Sequence, residues 1–155
     1  MTLPEFIGWI RQEHPCCMVS SATENKCSLR LSNFAGDSLA IISGTRFQKN
    51  HNFVGKLADR IIFSAKSGGF VCVAELKSGK WKTTDTIEQV RNGFKIAATL
   101  LSGTKVNSWY PLVLSNTGPK PIDVKVIQKD TIAFQGESLR LQHLHCNAEL
   151  SQIVN

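Results

Sequence analysis

A chain of 155 residues, 42% hydrophobic and 19% charged, has enough apolar side chains for one compact domain and is too short for two comfortable ones. Eighteen Lys and Arg against twelve Asp and Glu leave a formal charge of +6, which favours an extended polyanion over an acidic protein surface as partner. No run of about 18 apolar residues occurs, and MTLPEFIGWIRQEH lacks the basic, apolar and small-residue order of a secretory signal, so a soluble cytoplasmic protein without a membrane span is expected. The five cysteines (Cys16, Cys17, Cys27, Cys72, Cys146) are odd in number and have no CxxC spacing, which argues against a disulfide framework and for a reducing compartment.

Leu3, Phe6, Ile7 and Ile10 fall on one helical stripe that Pro15 ends, predicting a short amphipathic first helix. From Pro15 to Asn52 the pattern turns β-like and irregular, with CSLRLSNF alternating and DSLAIISG a short apolar run between turn residues. LADRIIFS and FVCVAELKS are two apolar runs joined by AKSGG, which has the length and residues of a hairpin loop. A helix follows: Ile87, Val90, Phe94, Ala97 and Leu101 recur at helical intervals, Asp85 and Glu88 have capping-box spacing, and Ser102-Gly103 can end it. NSWYPLVLS reads as a further strand and NTGPKP as a loop. DVKVIQKDTIAFQ and SLRLQHLH read as edge strands or a closing hairpin. The order implies an α/β or α+β fold in a single domain over residues 1–155.

The hairpin carries the chemistry. Asp59 interrupts one apolar strand, and Glu75 and Lys77 interrupt the other on a shared face. With AKSGG as the loop, Ser64 faces Phe70, and counting back along both strands sets Asp59 opposite Glu75. Like charges so placed repel unless something compensates them, and a divalent cation does so. Two carboxylates suit Mg²⁺, and Lys77 adds positive charge beside a phosphate or an attacking water. The expected chemistry is metal-assisted phosphodiester hydrolysis. A one-residue slip in register would put the two acids on opposite faces and remove the site.

Asp59, fifteen intervening residues and then Glu75-Leu76-Lys77 at the end of an apolar strand resembles the D…(D/E)xK signature of the PD-(D/E)xK nuclease superfamily. The resemblance implies a restriction-endonuclease-like core, a central mixed β-sheet (a β-meander plus further strands) flanked by helices. It also implies Mg²⁺ or Mn²⁺ held by Asp59, Glu75 and the Leu76 carbonyl, Lys77 acting on the water, and Gln89 assisting from the next helix. Many members add an acid from the first helix, for which Glu13 is the better placed of Glu5 and Glu13. Ala58 stands where the family name has Pro, and Gly93 where the helical QxxxY variant has Tyr. DNA is favoured over RNA as substrate. Little of the chain lies outside such a core, so a homodimer or a subunit of a larger, defence-type complex is expected to supply specificity.

Competing readings attach to the same residues. Asp59, Glu75 and Lys77 also fit a cross-strand ion-pair group, but their faces carry Ile61, Phe63, Val71 and Val73, which suits a functional site better. Lys56 is a phosphate contact or an ordinary lysine before a strand. Lys80, Trp81 and Lys82 make a basic-aromatic loop suited to nucleic acid, or an exposed loop with Trp81 folded back. His143, His145 and Cys146 read as edge-strand side chains, Cys72 as a small buried hydrophobe, and His14 with Cys16, Cys17 and Cys27 matches no common zinc spacing. A catalytically silent nucleic-acid- or protein-binding module is the alternative to a nuclease. A small interaction protein anchored by Trp9, Trp81, Trp109 and Tyr110 is a third.

Overall fold

Thr2 opens helix α1 (Leu3–Glu13) with a capping box: its hydroxyl accepts the Glu5 N–H, and the Glu5 carboxylate accepts the Thr2 N–H at 2.7 Å. The computed structural model describes residues 1–34, 36–79, 81–117 and 131–154. After α1 come strands β1 (Met18–Val19), β2 (Ala22–Glu24), β3 (Cys27–Leu29) and β4 (Leu39–Ser43), helix α2 (Gly44–His51), then β5 (Arg60–Ser64) and β6 (Phe70–Lys77). Helix α3 (Thr83–Leu101) leads to β7 (Ser108–Ser115), followed by β8 (Thr131–Phe134), β9 (Glu137–Arg140) and β10 (Gln142–His145).

The fold is α/β. A mixed six-stranded sheet runs in the order β1-β4-β5-β6-β7-β10, with β4, β5 and β6 an antiparallel meander and β7 and β10 parallel to β6. Helices α1 and α3 cover one face through Phe6, Ile7, Ile10, Val90, Phe94 and Ala97, packed on Ile61, Phe63, Val71, Val73 and Val113. The β2–β3 hairpin covers the other face, over Ile62, Phe70, Cys72, Leu112 and Leu114. Covered on both sides, β6 is buried from Phe70 to Leu76 and reads as a continuous apolar run rather than an alternating one. Each large apolar side chain buried there contributes about 1.5–3 kcal/mol. α3 lies close on β6 because Gly93 has no side chain: a Cβ would stand 2.5 Å from Val73 Cγ1. No described helix is long and apolar enough to cross a membrane.

Four expectations change. The stretch from Pro15 to Asn52 contains a helix, α2, whose single large apolar residue, Phe47, leaves no periodic stripe; Ser43 caps it by accepting the Arg46 N–H. α3 begins after Lys82, whose ammonium has no acceptor and cannot cap it, and Asp85 lies in the first turn paired with Lys56 rather than at the cap. SLRLQHLH divides between β9, which pairs with β8 in a separate two-stranded sheet, and β10, which joins the main sheet beside β7. Cys27 and Cys146 form a disulfide across 119 residues, against the expectation drawn from cysteine number and spacing. Strand β3 and the turn after β10, remote in sequence, bring them together, so no local spacing announces the pair. Cys16, Cys17 and Cys72 remain thiols, with Cys72 fully buried. Most of DVKVIQKDTIAFQ and the prolines of NTGPKP lie outside the described residues.

Candidate active site

The β5–β6 hairpin pairs Ser64 with Phe70, Ile62 with Cys72 and Arg60 with Ala74, the register expected from its loop. One step further the ladder stops, and the side chains of Asp59 and Glu75 take over. Asp59 Oδ2 accepts the Leu76 N–H at 2.8 Å, and Glu75 Oε1 accepts the Asp59 N–H at 3.2 Å. Each carboxylate is thus tied to the strand that carries the other. Because N–H and C=O of one strand residue leave on the same side, the Leu76 carbonyl also faces the gap beyond the end of β5.

The backbone at Asp59 is held from three directions. The Asp59 carbonyl accepts the Gly44 N–H at 2.9 Å and Arg60 Nη1 at 2.8 Å, while the Ala58 N–H donates to the Gln89 carbonyl at 3.2 Å. Gly44 is required there, since a Cβ on it would stand 1.9 Å from the Ala58 carbonyl oxygen. Arg60, 7% exposed, also donates to the carbonyls of Ser21 and Thr23 and pairs with Glu24, which clamps the β2–β3 hairpin to this point.

Glu75 is 1% exposed. Burial pushes its carboxyl up to about 8, the adjacent Asp59 adds to the rise, and the Lys77 ammonium opposes it. Lys77 Nζ stands 3.0 Å from Glu75 Oε2, so this buried oxygen has the ammonium as its ion-pair neighbour. Gln89 Oε1 is buried without a hydrogen-bond partner among the described residues. A buried acceptor left so costs about 1–3 kcal/mol unless something else satisfies it. Two carboxyls and an ammonium are brought together here, oxygen and nitrogen groups suited to a hard cation and a phosphate, while Gln89 is tied to the same place through its backbone carbonyl, which accepts the Ala58 N–H.

The other expected residues divide. Glu13 is exposed at the end of α1 and does not join the pair: among the described residues no three His, Cys, Asp or Glu side chains form a metal-holding group. The fold explains this, since His14 packs on His51 at the far end of α2 while Asp59 holds Gly44 at its start. Eight helical residues separate the two ends by about 12 Å. Lys56 is exposed and occupied, with its ammonium on Asp85 at 2.5 Å and its carbonyl accepting from Asn92 Nδ2 at 2.6 Å; it braces α3. Lys82 is exposed at the start of α3, and Lys80 lies outside the described residues. Trp81 is half-buried at the core margin, its ring 19° from parallel with that of His143 at 6.1 Å between centroids.

Sequence reasoning passed over Arg60, which carries the same signal as Asp59, a charge inside an apolar run. It also set His143 aside as an edge residue. No sequence signal marked Ser115, whose partner at His143 depends on β10 docking beside β7. No family model matches this chain, and neither a curated protein nor a solved structure matches it.

Proposed function

We propose that this chain is a divalent-metal-dependent nuclease with a restriction-endonuclease-like core, hydrolysing phosphodiester bonds of nucleic acid, DNA in preference to RNA. The observation that carries the reading is the buried Glu75 carboxyl beside Asp59 at the end of the β5–β6 ladder, with the Lys77 ammonium 3.0 Å from one of its oxygens. The residues present fit a Mg²⁺ or Mn²⁺ ion. Asp59, Glu75 and the Leu76 carbonyl offer oxygens on one side of the strand end, and Gln89 Oε1 is an unsatisfied acceptor.

Such an ion, when bound, supplies positive charge to the phosphate oxygens and acidifies water. The chain's own residues do the rest. Asp59 and Glu75 present their carboxyl oxygens together at the end of the β5–β6 hairpin. Lys77, two residues from Glu75 on the same face, orients the attacking water and offsets charge gathering on the phosphate. Gln89 fixes the solvent or substrate oxygen nearest the start of α3. A second copy or a larger assembly supplies recognition of the target, because the described residues are occupied in building the core.

The Lys77–Glu75 ion pair favours a second reading, a silent nucleic-acid- or protein-binding module in which that pair satisfies the site. One experiment separates them. The protein is incubated with supercoiled DNA, linear DNA and RNA in Mg²⁺, Mn²⁺ or EDTA, beside Glu75→Ala and Lys77→Ala. Metal-dependent cutting lost in both variants supports the nuclease. Nucleic acid left intact by folded wild-type protein, or cut equally by the variants, overturns it.

A further inference from the structure

Beyond Lys77 the sheet carries a group of residues that the acidic pair does not use. Because β7 and β10 both run parallel to β6, Glu75, Val113 and His143 stand in one cross-strand row and Lys77, Ser115 and His145 in the next. Residues in such a row project from the same face, so both histidines share the face of Glu75 and Lys77. Two strand spacings place the His143 backbone roughly 10 Å from that of Glu75. That distance is about three nucleotides of a stacked strand.

Trp81 returns from the end of β6 across this face and lies nearly parallel to His143, at 19° and 6.1 Å between centroids. Both rings are half-buried, and His145 is exposed with its ring 5.8 Å from that of His143. His143 is also locked in orientation. Ser115 Oγ donates to the Thr117 carbonyl at 2.5 Å, so its proton is committed, and His143 Nε2, 2.7 Å away, is the donor to Ser115. Burial, and then His145, hold the His143 pKa below the ordinary value, which keeps the ring neutral at pH 7. A neutral, orientation-locked imidazole against an indole presents π surface rather than charge, and the acidic pair lies in the same row.

We propose that Trp81 and His143 form a stacking platform for an unpaired base of single-stranded nucleic acid, held on the sheet face beside Glu75 and Lys77. The identity of the ligand rests on the nuclease reading; the platform itself rests on the register of β10 and the two rings. Aromatic faces take bases that are not stacked in a duplex, and such contacts tolerate any sequence because every base has a π face. Ser115 acts as a positioning residue by holding His143 in plane.

The test is binding to a 5′-labelled 20-nucleotide oligo(dT) and to an abasic strand of equal length and charge, by fluorescence anisotropy in EDTA, where nothing is cut. Wild type is expected to prefer oligo(dT) by about tenfold. Trp81→Ala and His143→Ala are expected to lose that preference while binding the abasic strand as before, and Trp81→Phe and His143→Phe to keep most of it. Equal affinity of wild type for the two strands, or Ala variants that bind oligo(dT) like wild type, overturns the platform. Failure of each reading is visible separately. Metal-dependent cutting without base preference leaves the nuclease and removes the platform; base preference through Trp81 without cutting does the reverse.

Discussion

Replacing Glu75 by Gln tests the electrostatics of the site without reference to any substrate. In the folded chain the Glu75 carboxyl titrates near 8, against about 4.5 when solvated. Between those values the folded state holds a proton that the unfolded chain has released. Stability therefore falls as pH rises, by 1.36 kcal/mol per unit, and levels off once pH passes the folded value. From pH 5 to pH 9 the loss amounts to about 4 kcal/mol. Glu75→Gln keeps the shape and removes the titration. Other groups, including His14 and His143 with lowered pKa values, titrate in both proteins and cancel in the difference. The variant should match wild type at pH 5 and exceed it by about 4 kcal/mol at pH 9, a shift of about 2 M in the urea midpoint for an m value near 2 kcal/mol/M. Millimolar Mg²⁺ should restore wild type at pH 8 and leave the variant unchanged, since a ligand that binds only the folded state stabilises it. Parallel pH curves for the two proteins would refute the reasoning and mean that Lys77 keeps Glu75 ionised throughout.

Cys146→Ser opens the disulfide that closes a loop of 119 residues, for which chain entropy sets a loss of up to about 5 kcal/mol. Urea titration with and without reductant measures it, and identical curves would show that the bond does not form in solution. Gly44→Ala drives a Cβ into the Ala58 carbonyl, backbone against backbone, whereas Gly93→Ala meets only the Val73 side chain, which can turn. The first should cost at least the ~1–3 kcal/mol typical of overpacking and reduce cutting through displacement of Asp59, and the second should cost less; the reverse order in thermal melts would contradict the packing at Asp59. Lys77→Met removes the charge that opposes protonation of Glu75. It should abolish cutting, raise the pH at which Mg²⁺ begins to stabilise the fold, and leave stability at pH 5 unchanged; an unaltered metal response would count against Lys77 as neighbour to the bound charge.

Much of the geometry of the candidate site was legible because the hairpin is local. A five-residue loop between two apolar runs pointed to the register that the hairpin adopts, Ser67, Gly68 and Gly69 take positive φ angles in that loop, and period two then puts Asp59 and Glu75 on one face. Lys77 and the long periodic helix α3 followed from the same short-range rules. Glu13 was misplaced because a helical wheel ranks positions on one helix and is silent on which end of another element that helix meets. The capping-box reading of Asp85 failed because the helix starts earlier, at Thr83, which puts Asp85 inside the first turn instead of at the cap.

What the amino-acid order determined alone was therefore the acidic pair and its face, since both depend on side-chain alternation across a tight turn. What only the tertiary structure decided was everything built by distant pairing. β10 lies parallel to β7, the Cys27–Cys146 bond spans 119 residues, and Trp81 meets His143. Parallel strands and long-loop cross-links have no turn between them to encode their register. Their partners are chosen by which faces remain to be buried once the local elements have formed, and a net charge of +6 says nothing about that choice.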